Sequence, residues 1–169
     1  MIIKYFMIAI ATLTTVVYLI PYSCQDFYNH FLESFNITDG QAGKLISFFG
    51  LTATPGYFIG GWLADKFNAK MLVVISALST AAVGFIVSFS TSFNFLLVLY
   101  FIFGITTTCL HWSAFLKVIK SIGDDNEQGR LYGFFNGMYG VLGLTITYFV
   151  LALISTLLAS SGFRGGIRV

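Results

Sequence analysis

Four long stretches of the sequence carry no charged side chain, and they restrict the possible folds more than any other feature. They are residues 5–25, 45–64, 71–116 and 131–163. A helix needs about 20 apolar residues to cross a bilayer, so the first two stretches each predict one spanning helix. None of the four alternates with a period of two, as the strands of a membrane barrel do. We therefore expect an all-α polytopic membrane helix bundle.

The third and fourth stretches complete the predicted set of spans. The third is too long for one helix, and its polar segment at 88–94 (Ser-Phe-Ser-Thr-Ser-Phe-Asn) is typical of a tight turn. The fourth predicts one span followed by a small, polar run at 155–162. The five predicted spans are residues 5–25, 45–64, 71–88, 94–116 and 131–153.

Composition excludes several classes of protein. Charged residues make up 9% of the chain, against roughly 25% in soluble domains. The net charge of +2 is too small to favour nucleic acid as a partner, and two cysteines cannot form a disulfide scaffold. The sequence has no Ser/His/Asp order, metal-spaced His/Cys cluster or phosphate-binding glycine loop. We therefore expect no enzymatic activity, no catalytic residue, no cofactor and no metal. The expected surroundings of the chain are the lipid bilayer.

Lysine and arginine predict that the N-terminus is cytoplasmic. In that orientation six basic residues fall inside and three fall outside: Lys4, Lys66, Lys70, Lys117, Lys120 and Arg130 against Lys44, Arg164 and Arg168. The outer C-terminal pair is anomalous and suggests that the natural chain continues. A cleaved signal peptide is the alternative for residues 5–25, but that run exceeds the usual 7–15 residues and lacks a small-x-small cleavage site.

The loop between the second and third predicted spans contains a recognisable motif. It reads Gly61-Trp-Leu-Ala-Asp65-Lys66-Phe-Asn-Ala-Lys70. A Gly-x-x-x-Asp-Lys core followed by another base resembles the cytoplasmic-loop signature of the major facilitator superfamily. The family usually has Gly and then Arg where this chain has Asn68 and Ala69.

The loop after the fourth span extends the resemblance. Residues 112–117 (Trp-Ser-Ala-Phe-Leu-Lys) and 127–135 are similar to the same region of bacterial anion and sugar-acid transporters of that superfamily. The resemblance implies the N-terminal portion of a twelve-span transporter, cut before the sixth span, which Gly162-Phe-Arg-Gly would introduce. The fourth span lacks an arginine and the fifth lacks a Gly-Pro pattern, so proton-coupled drug export is disfavoured.

The family likeness implies a function and a location. It implies a secondary active transporter in the bacterial inner membrane that moves a small polar or anionic solute by alternating access, with a coupling ion as a further partner. Because the substrate site of such proteins lies between two halves, a missing C-terminal half or a second copy would have to complete the pathway. The alternatives are a non-transporting remnant and a small membrane interaction protein that oligomerises.

Polar residues inside the spans are the candidates for the solute path, because each costs free energy in the bilayer. On the first span Tyr18, Tyr22 and Gln25 share one helical face, although tyrosine is also common at the membrane surface. His111 could relay a proton or contact an anion, or it could be a neutral core histidine bonded to a neighbouring helix. The remaining candidates on the path are Tyr132, Asn136 and Trp112, for which an interfacial position is the favoured alternative.

Two further groups of residues complete the predicted sites. Glycines at short intervals predict close helix packing: Gly56, Gly60, Gly133, Gly137 and Gly140. Residues at the predicted cytoplasmic edge could form contacts in one access state and break them in the other. These gating candidates, for which simple solvation of a loop is the alternative, are Gly61, Asp65, Lys66, Lys70, Glu127 and Arg130.

Overall fold

The computed structural model describes residues 2–160, which are helical almost throughout. The helices are α1 (Ile2–Asp26), α2 (Tyr28–Phe35), α3 (Asp39–Lys66), α4 (Ala69–Ser88), α5 (Phe93–Lys120) and α6 (Gln128–Ser160). Two of them change their winding midway, because α1 contains a 3₁₀ stretch at Thr14–Tyr18 and α5 a π-helical stretch at Ile105–Trp112. The predicted all-α membrane bundle is confirmed.

Each of the five predicted spans lies within one long helix. Four helical segments of the described chain are long and apolar enough to cross a bilayer: Ile2–Asp26, Ala69–Ser88, Phe93–Lys120 and Asp125–Leu157. Helix α3 has 28 residues, but glycines, threonines and Pro55 reduce its apolar character. Its crossing of the membrane, and so the count of five, stays a prediction.

Side-chain caps decide where α3 and α4 begin. The backbone N–H of Gln41 donates to Thr38 Oγ1 at 3.4 Å, and the backbone N–H of Thr38 donates to Gln41 Oε1 at 2.9 Å. This capping box satisfies two backbone donors that no helical bond reaches. Asn68 Oδ1 accepts from the amides of Lys70 and Met71 at 3.0 and 3.4 Å. Asn68, a departure from the family motif, therefore caps α4.

Charged residues collect at one end of the bundle. Lys4 at the start of α1 pairs with Asp124 and Glu127 just before α6, and Lys117 on α5 pairs with Asp65 on α3. These contacts place at one end the residues predicted to be cytoplasmic, although the side of the membrane itself stays a prediction. Arg164, Arg168 and the segment at 162–165 lie outside the described residues.

The interior consists of two apolar clusters with a polar layer between them. The first cluster lies towards the C-terminal end of α1 and includes Leu45, Leu96 and Tyr100. The second lies towards the charged end and includes Ile8 and Phe115. Between them lie buried hydroxyl and imidazole groups from three helices: Thr12, Thr15, Ser76, Thr80, Thr106, Thr107, Thr108 and His111. Buried polar groups in a membrane protein mark the place to look for function.

Candidate functional site

The centre of the polar layer is the π-helical stretch of α5, Ile-Thr-Thr-Thr-Cys-Leu-His-Trp. Neighbouring helices donate hydrogen bonds to its backbone. Ser76 Oγ on α4 donates to the Thr106 carbonyl at 2.7 Å, and the Tyr18 hydroxyl on α1 donates to the Thr107 carbonyl at 2.9 Å. Wide helical turns of this kind are frequent at functional sites. Here the turn is joined to two other helices by buried polar bonds.

His111 is fully buried at the end of the π-helical stretch. Its Nε2 lies 3.0 Å from Thr14 Oγ1, and that hydroxyl donates its only proton to the Ala11 carbonyl at 2.7 Å. With the Thr14 hydroxyl donating to Ala11, the histidine donates from Nε2 and carries its lone pair on Nδ1; the other tautomer would accept from Thr14 at Nε2. Nδ1 has no hydrogen-bond partner among the described residues.

Aromatic rings enclose the imidazole. The Phe115 ring is stacked on it, with the two centroids 5.4 Å apart and the planes 12° from parallel. The Tyr18 ring meets it edge-on at 5.4 Å and also meets the Trp112 ring at 5.9 Å. This packing excludes solvent from the imidazole, which has no exposed surface.

A cavity of about 400 Å³ separates α1 from α6 in the half of the bundle away from the charged end. Tyr18, Tyr22 and Asp26 line it from α1, at intervals of four residues that place them on one helical face. Tyr139 and Gly140 are among the residues that line it from α6. The wall is otherwise largely apolar, so a few hydroxyls and one carboxyl supply its polarity.

A second, smaller cavity is lined by two residues that contact His111. It measures about 120 Å³ and is lined by Ala11, Thr14, Lys70, Val73, Phe115 and Val118. Thr14 bonds to the imidazole Nε2 and Phe115 is stacked on its ring. Thr14, which is hydrogen-bonded to the histidine, and Tyr18, whose ring contacts it, thus line different cavities.

The predicted substrate-path residues divide into two groups. Tyr18 and Tyr22 line the larger cavity, and His111 and Trp112 contact Tyr18 from behind. Gln25 is exposed and is not part of the lining. Further along, the Tyr132 hydroxyl donates to the Leu116 carbonyl at 3.2 Å, and the exposed Asn136 donates to the Tyr132 carbonyl at 2.8 Å. The structure does not bring these three into the same site.

The predicted packing glycines also differ in their surroundings. Gly56 and Gly60 face the backbone of Cys109, and a Cβ added at Gly60 would lie 2.5 Å from the Cys109 carbonyl oxygen. By contrast, nothing lies within 4 Å of a Cβ at Gly133, Gly137 or Gly140. Helix packing along the glycines of α6 therefore stays a prediction.

The gating candidates lie at the charged end of the bundle. Lys117 Nζ is 3.1 Å from Asp65 and donates to the Ala64 carbonyl at 2.6 Å. Glu127 pairs with Lys4. The other candidates have separate positions. Lys66 lies over the Trp62 ring, Arg130 donates to the Tyr5 hydroxyl, Lys70 lines the smaller cavity, and Gly61 has open space around it.

Sequence reasoning missed three residues of the site. Asp26 follows Tyr18 and Tyr22 at the same four-residue interval, and that continuation of the series was the available signal. Ser76 and Thr14 gave no comparable signal, because isolated hydroxyls are common in apolar helices and usually bond to their own backbone. Only tertiary contacts show that they reach α5.

Comparison with known proteins adds a family to this geometry. The sequence profile of the Major Facilitator Superfamily matches residues 3–167. The chain is 28% identical to the inner membrane protein YihN of Escherichia coli over 152 residues, which are 89% of this chain and 36% of YihN. It is 28% identical to the inner membrane protein YqcE of the same species over 68% of this chain and 27% of YqcE.

A third relative has a name that includes a solute. The chain is 32% identical to the probable sulfoacetate transporter SauU of Cupriavidus necator over 73 residues, which are 43% of this chain and 17% of SauU. No solved structure matches the chain. The chain thus spans about a third or less of the length of these relatives.

Proposed function

The chain belongs to the Major Facilitator Superfamily, and from that premise we propose that it forms part of the solute pathway of a secondary active transporter. Membrane transport is the activity of the family, and the inner-membrane relatives agree with a multi-pass bacterial membrane protein. The proposed solute is small and polar, with small organic anions as the favoured class. In this proposal the pathway is completed by further spans, since the chain covers 36% and 27% of the length of these two relatives.

The larger cavity is the single observation that carries this proposal. Its volume of about 400 Å³ is at the lower end of the range for small-molecule sites, about 300–1,000 Å³. The hydroxyl groups of Tyr22 and Tyr139, which line the cavity, favour a ligand that accepts hydrogen bonds, as carboxylates and sulfonates do. The size of the cavity disfavours peptides and large drug-like molecules.

The likeness to a probable sulfoacetate transporter supports an anion but also sets a requirement. Asp26 is the one charged residue that lines the cavity among the described residues, and its carboxylate would repel an anion. An anion therefore needs positive charge from elsewhere. In the proposed complete protein, that charge comes from the spans not present in this chain or from His111 behind Tyr18.

Binding is tested with the chain in lipid nanodiscs, using sulfoacetate as the probe. Trp62→Phe leaves Trp112, whose ring lies 5.9 Å from that of Tyr18, as the fluorescent reporter. We expect saturable quenching that Tyr22→Phe and Tyr139→Phe weaken. Tyr148→Phe is the matched control, because Tyr148 is 68% exposed on α6 and does not line the cavity. Equal binding by all variants would contradict the proposed site.

Transport itself is tested with a longer protein that carries this sequence, reconstituted in proteoliposomes. We expect uptake of labelled sulfoacetate that is weakened by the same two tyrosine variants. Uptake of a neutral amide of similar size, measured in the same way, tests whether the negative charge of the solute matters. Binding without any uptake by the longer protein would contradict the transporter.

An oligomerising membrane protein is the second candidate function. The observation that favours it is the open glycine face of α6, where nothing lies within 4 Å of a Cβ at Gly133, Gly137 or Gly140. Small residues at such spacing allow a second helix to approach closely. Gly133→Leu should then reduce the size of the oligomer in detergent, while Gly61→Leu, at another open glycine, should not. An unchanged oligomer would count against this function.

A further inference from the structure

Asp26 is an exposed carboxylate that lines the larger cavity from the end of α1. It takes part in none of the ion pairs of the described residues. Within the described part of the chain, no lysine, arginine or histidine lines the cavity beside it. An ionised carboxylate only accepts hydrogen bonds. A ligand that lies next to Asp26 must therefore bring a donor, and preferably a positive charge, of its own.

The tyrosine hydroxyls of the cavity are not equally available to a ligand. The Tyr18 hydroxyl already donates to the Thr107 carbonyl at 2.9 Å. Tyr22 and Tyr139 line the same cavity, and their hydroxyls form none of the hydrogen bonds found in the described chain. Each of these two hydroxyls can donate to an acceptor on a ligand. The cavity thus offers two free donors together with one carboxylate.

Neighbouring rings hold the two available tyrosines in place. Tyr22 meets Phe49 of α3 edge-on, with the centroids 5.6 Å apart, and Tyr139 lies against Phe135 at 5.9 Å. Tyr22 precedes Asp26 by four residues, so the two share one face of α1 and are about 6 Å apart along its axis. Because aromatic faces attract cations, a carboxylate next to tyrosine rings suits an ammonium group.

We propose that the larger cavity takes a small acid that also carries an ammonium group, as amino acids and aminosulfonates do. The ammonium group pairs with Asp26, and the acidic oxygens accept from the hydroxyls of Tyr22 and Tyr139. A short carbon spacer between the two groups fits the step of about 6 Å from Tyr22 to Asp26. This inference rests on the proposed transport function and narrows its solute.

Charge balance favours this class of solute over two simpler ones. A plain anion would meet the carboxylate of Asp26, which no cation of the lining offsets, and like charges repel each other. A plain ammonium ion offers no acceptor to the two tyrosine hydroxyls. A solute with both groups satisfies the carboxylate and the hydroxyls together. It also brings no net charge into a cavity within the membrane, where a net charge is costly.

The test compares the binding of related sulfonates to the chain in lipid nanodiscs. Taurine carries an ammonium group at the end away from the sulfonate, isethionate a neutral hydroxyl, and sulfoacetate a carboxylate. Binding of each labelled compound is measured by scintillation proximity. We expect taurine to bind about three- to tenfold more tightly than isethionate, since a pair with an exposed carboxylate is partly screened, and sulfoacetate to bind most weakly. Equal affinities, or tighter binding of sulfoacetate, would overturn the inference.

Asp26→Asn tests the assigned residue, with Glu33→Gln as the matched control. Removal of the Asp26 carboxylate should abolish the preference for taurine over isethionate and strengthen the binding of sulfoacetate. Asp26→Glu keeps the charge and should keep the preference. Glu33 is also exposed but does not line the cavity, so Glu33→Gln should leave all the affinities unchanged. A preference that survives Asp26→Asn, or that both variants lose equally, would contradict the role of Asp26.

Failure of the ammonium pairing and failure of the proposed site give different results. If sulfoacetate binds and the Tyr22→Phe and Tyr139→Phe variants weaken it, while Asp26→Asn leaves the affinities for the sulfonates in the same ratio, the site is supported and the ammonium pairing is overturned. If none of the compounds binds, the proposed site and the ammonium pairing are both overturned.

Discussion

Gly60 is the residue at which a single added methyl group should disturb the bundle most clearly. Its Cα faces α5 so closely that a Cβ would lie 2.5 Å from the Cys109 carbonyl oxygen and 3.1 Å from Ser113 Oγ. A backbone oxygen cannot move aside as the end of a flexible side chain can. The close approach of α3 to the π-helical stretch therefore requires glycine at this position.

Gly60→Ala should destabilise the chain, and Gly61→Ala should not. Overpacking of this kind costs about 1–3 kcal/mol, which outweighs the gain in helix propensity of about 1 kcal/mol from glycine to alanine. A Cβ added at Gly61 would have nothing within 4 Å, so only the gain in helix propensity remains at that position. Thermal unfolding in nanodiscs measures the stability of both variants. Equal midpoints for the two variants would contradict the packing described for Gly60.

The π-helical stretch of α5 is held by side chains from other helices. Ser76 Oγ is fully buried and donates to the Thr106 carbonyl at 2.7 Å, whereas Ser79 Oγ on the same helix donates to its own backbone at Ser76, at 3.0 Å. The first bond joins two helices and the second does not. Helix α4 thus takes part in the polar layer through Ser76.

Ser76→Ala should lower stability by about 0.5–1.5 kcal/mol, the usual net contribution of one buried hydrogen bond. Ser79→Ala should have a smaller effect, because the bond it removes is local. Hydrogen exchange of the α5 amides, followed together with thermal unfolding, would show whether the wide turn opens in the first variant. A loss of protection in α5 that is the same for both serines would argue against the interhelical role.

The C-terminal end of α3 joins α5 through the pair of Asp65 with Lys117, whose charged atoms are 3.1 Å apart. The Asp65 side chain is 81% exposed and that of Lys117 is 44% exposed, and surface pairs of this kind contribute about 0–1 kcal/mol to stability. A weak, exposed pair can form and break as helices move. Its proposed role is therefore gating during transport and not stabilisation of the fold.

Asp65→Asn should reduce uptake several-fold in the longer protein and leave its thermal unfolding nearly unchanged. Asp125→Asn is the control, because Asp125 is exposed and forms none of the ion pairs seen in the described residues. Initial rates in proteoliposomes give the comparison. Unimpaired uptake by the Asp65 variant would exclude the gating role.

The arrangement of the whole molecule predicts which end faces the cytoplasm. Lys4, Asp65, Lys117 and Glu127 meet at one end, while the cavity lies nearer the other. Excess basic residues favour the cytoplasmic side. The cavity would then lie nearer the outer surface, which is the orientation that an uptake carrier needs before it binds its solute.

Labelling of introduced cysteines with a membrane-impermeant maleimide tests this orientation. The two native cysteines are buried, at 1% and 7% exposure, so background labelling should be low. A cysteine in place of Gly40 should react in intact cells, and one in place of Asn126 should react only after permeabilisation. Both positions are exposed. The reverse pattern would show that the N-terminus is outside.

Local properties of the sequence were sufficient to predict the helices and the family. A membrane helix is specified by the length of an apolar run, and such a run is recognised in the sequence without any knowledge of the neighbouring helices. For the same reason the turn at 88–94 was predicted close to its place, since α4 ends at Ser88 and α5 begins at Phe93. The motif around Asp65 indicated the superfamily that the profile over residues 3–167 shows.

The site depended on tertiary structure, because a contact between two helices is set by how their faces meet. Helical spacing placed Tyr18 and Tyr22 on one face, but it placed Gln25 there too, and only the packing of α1 against α6 excludes Gln25 from the cavity. The bond of Thr14 with His111 joins residues 97 positions apart. The winding of the π-helical stretch further altered which α5 groups face α1 and α4, and no single-helix pattern predicts that change.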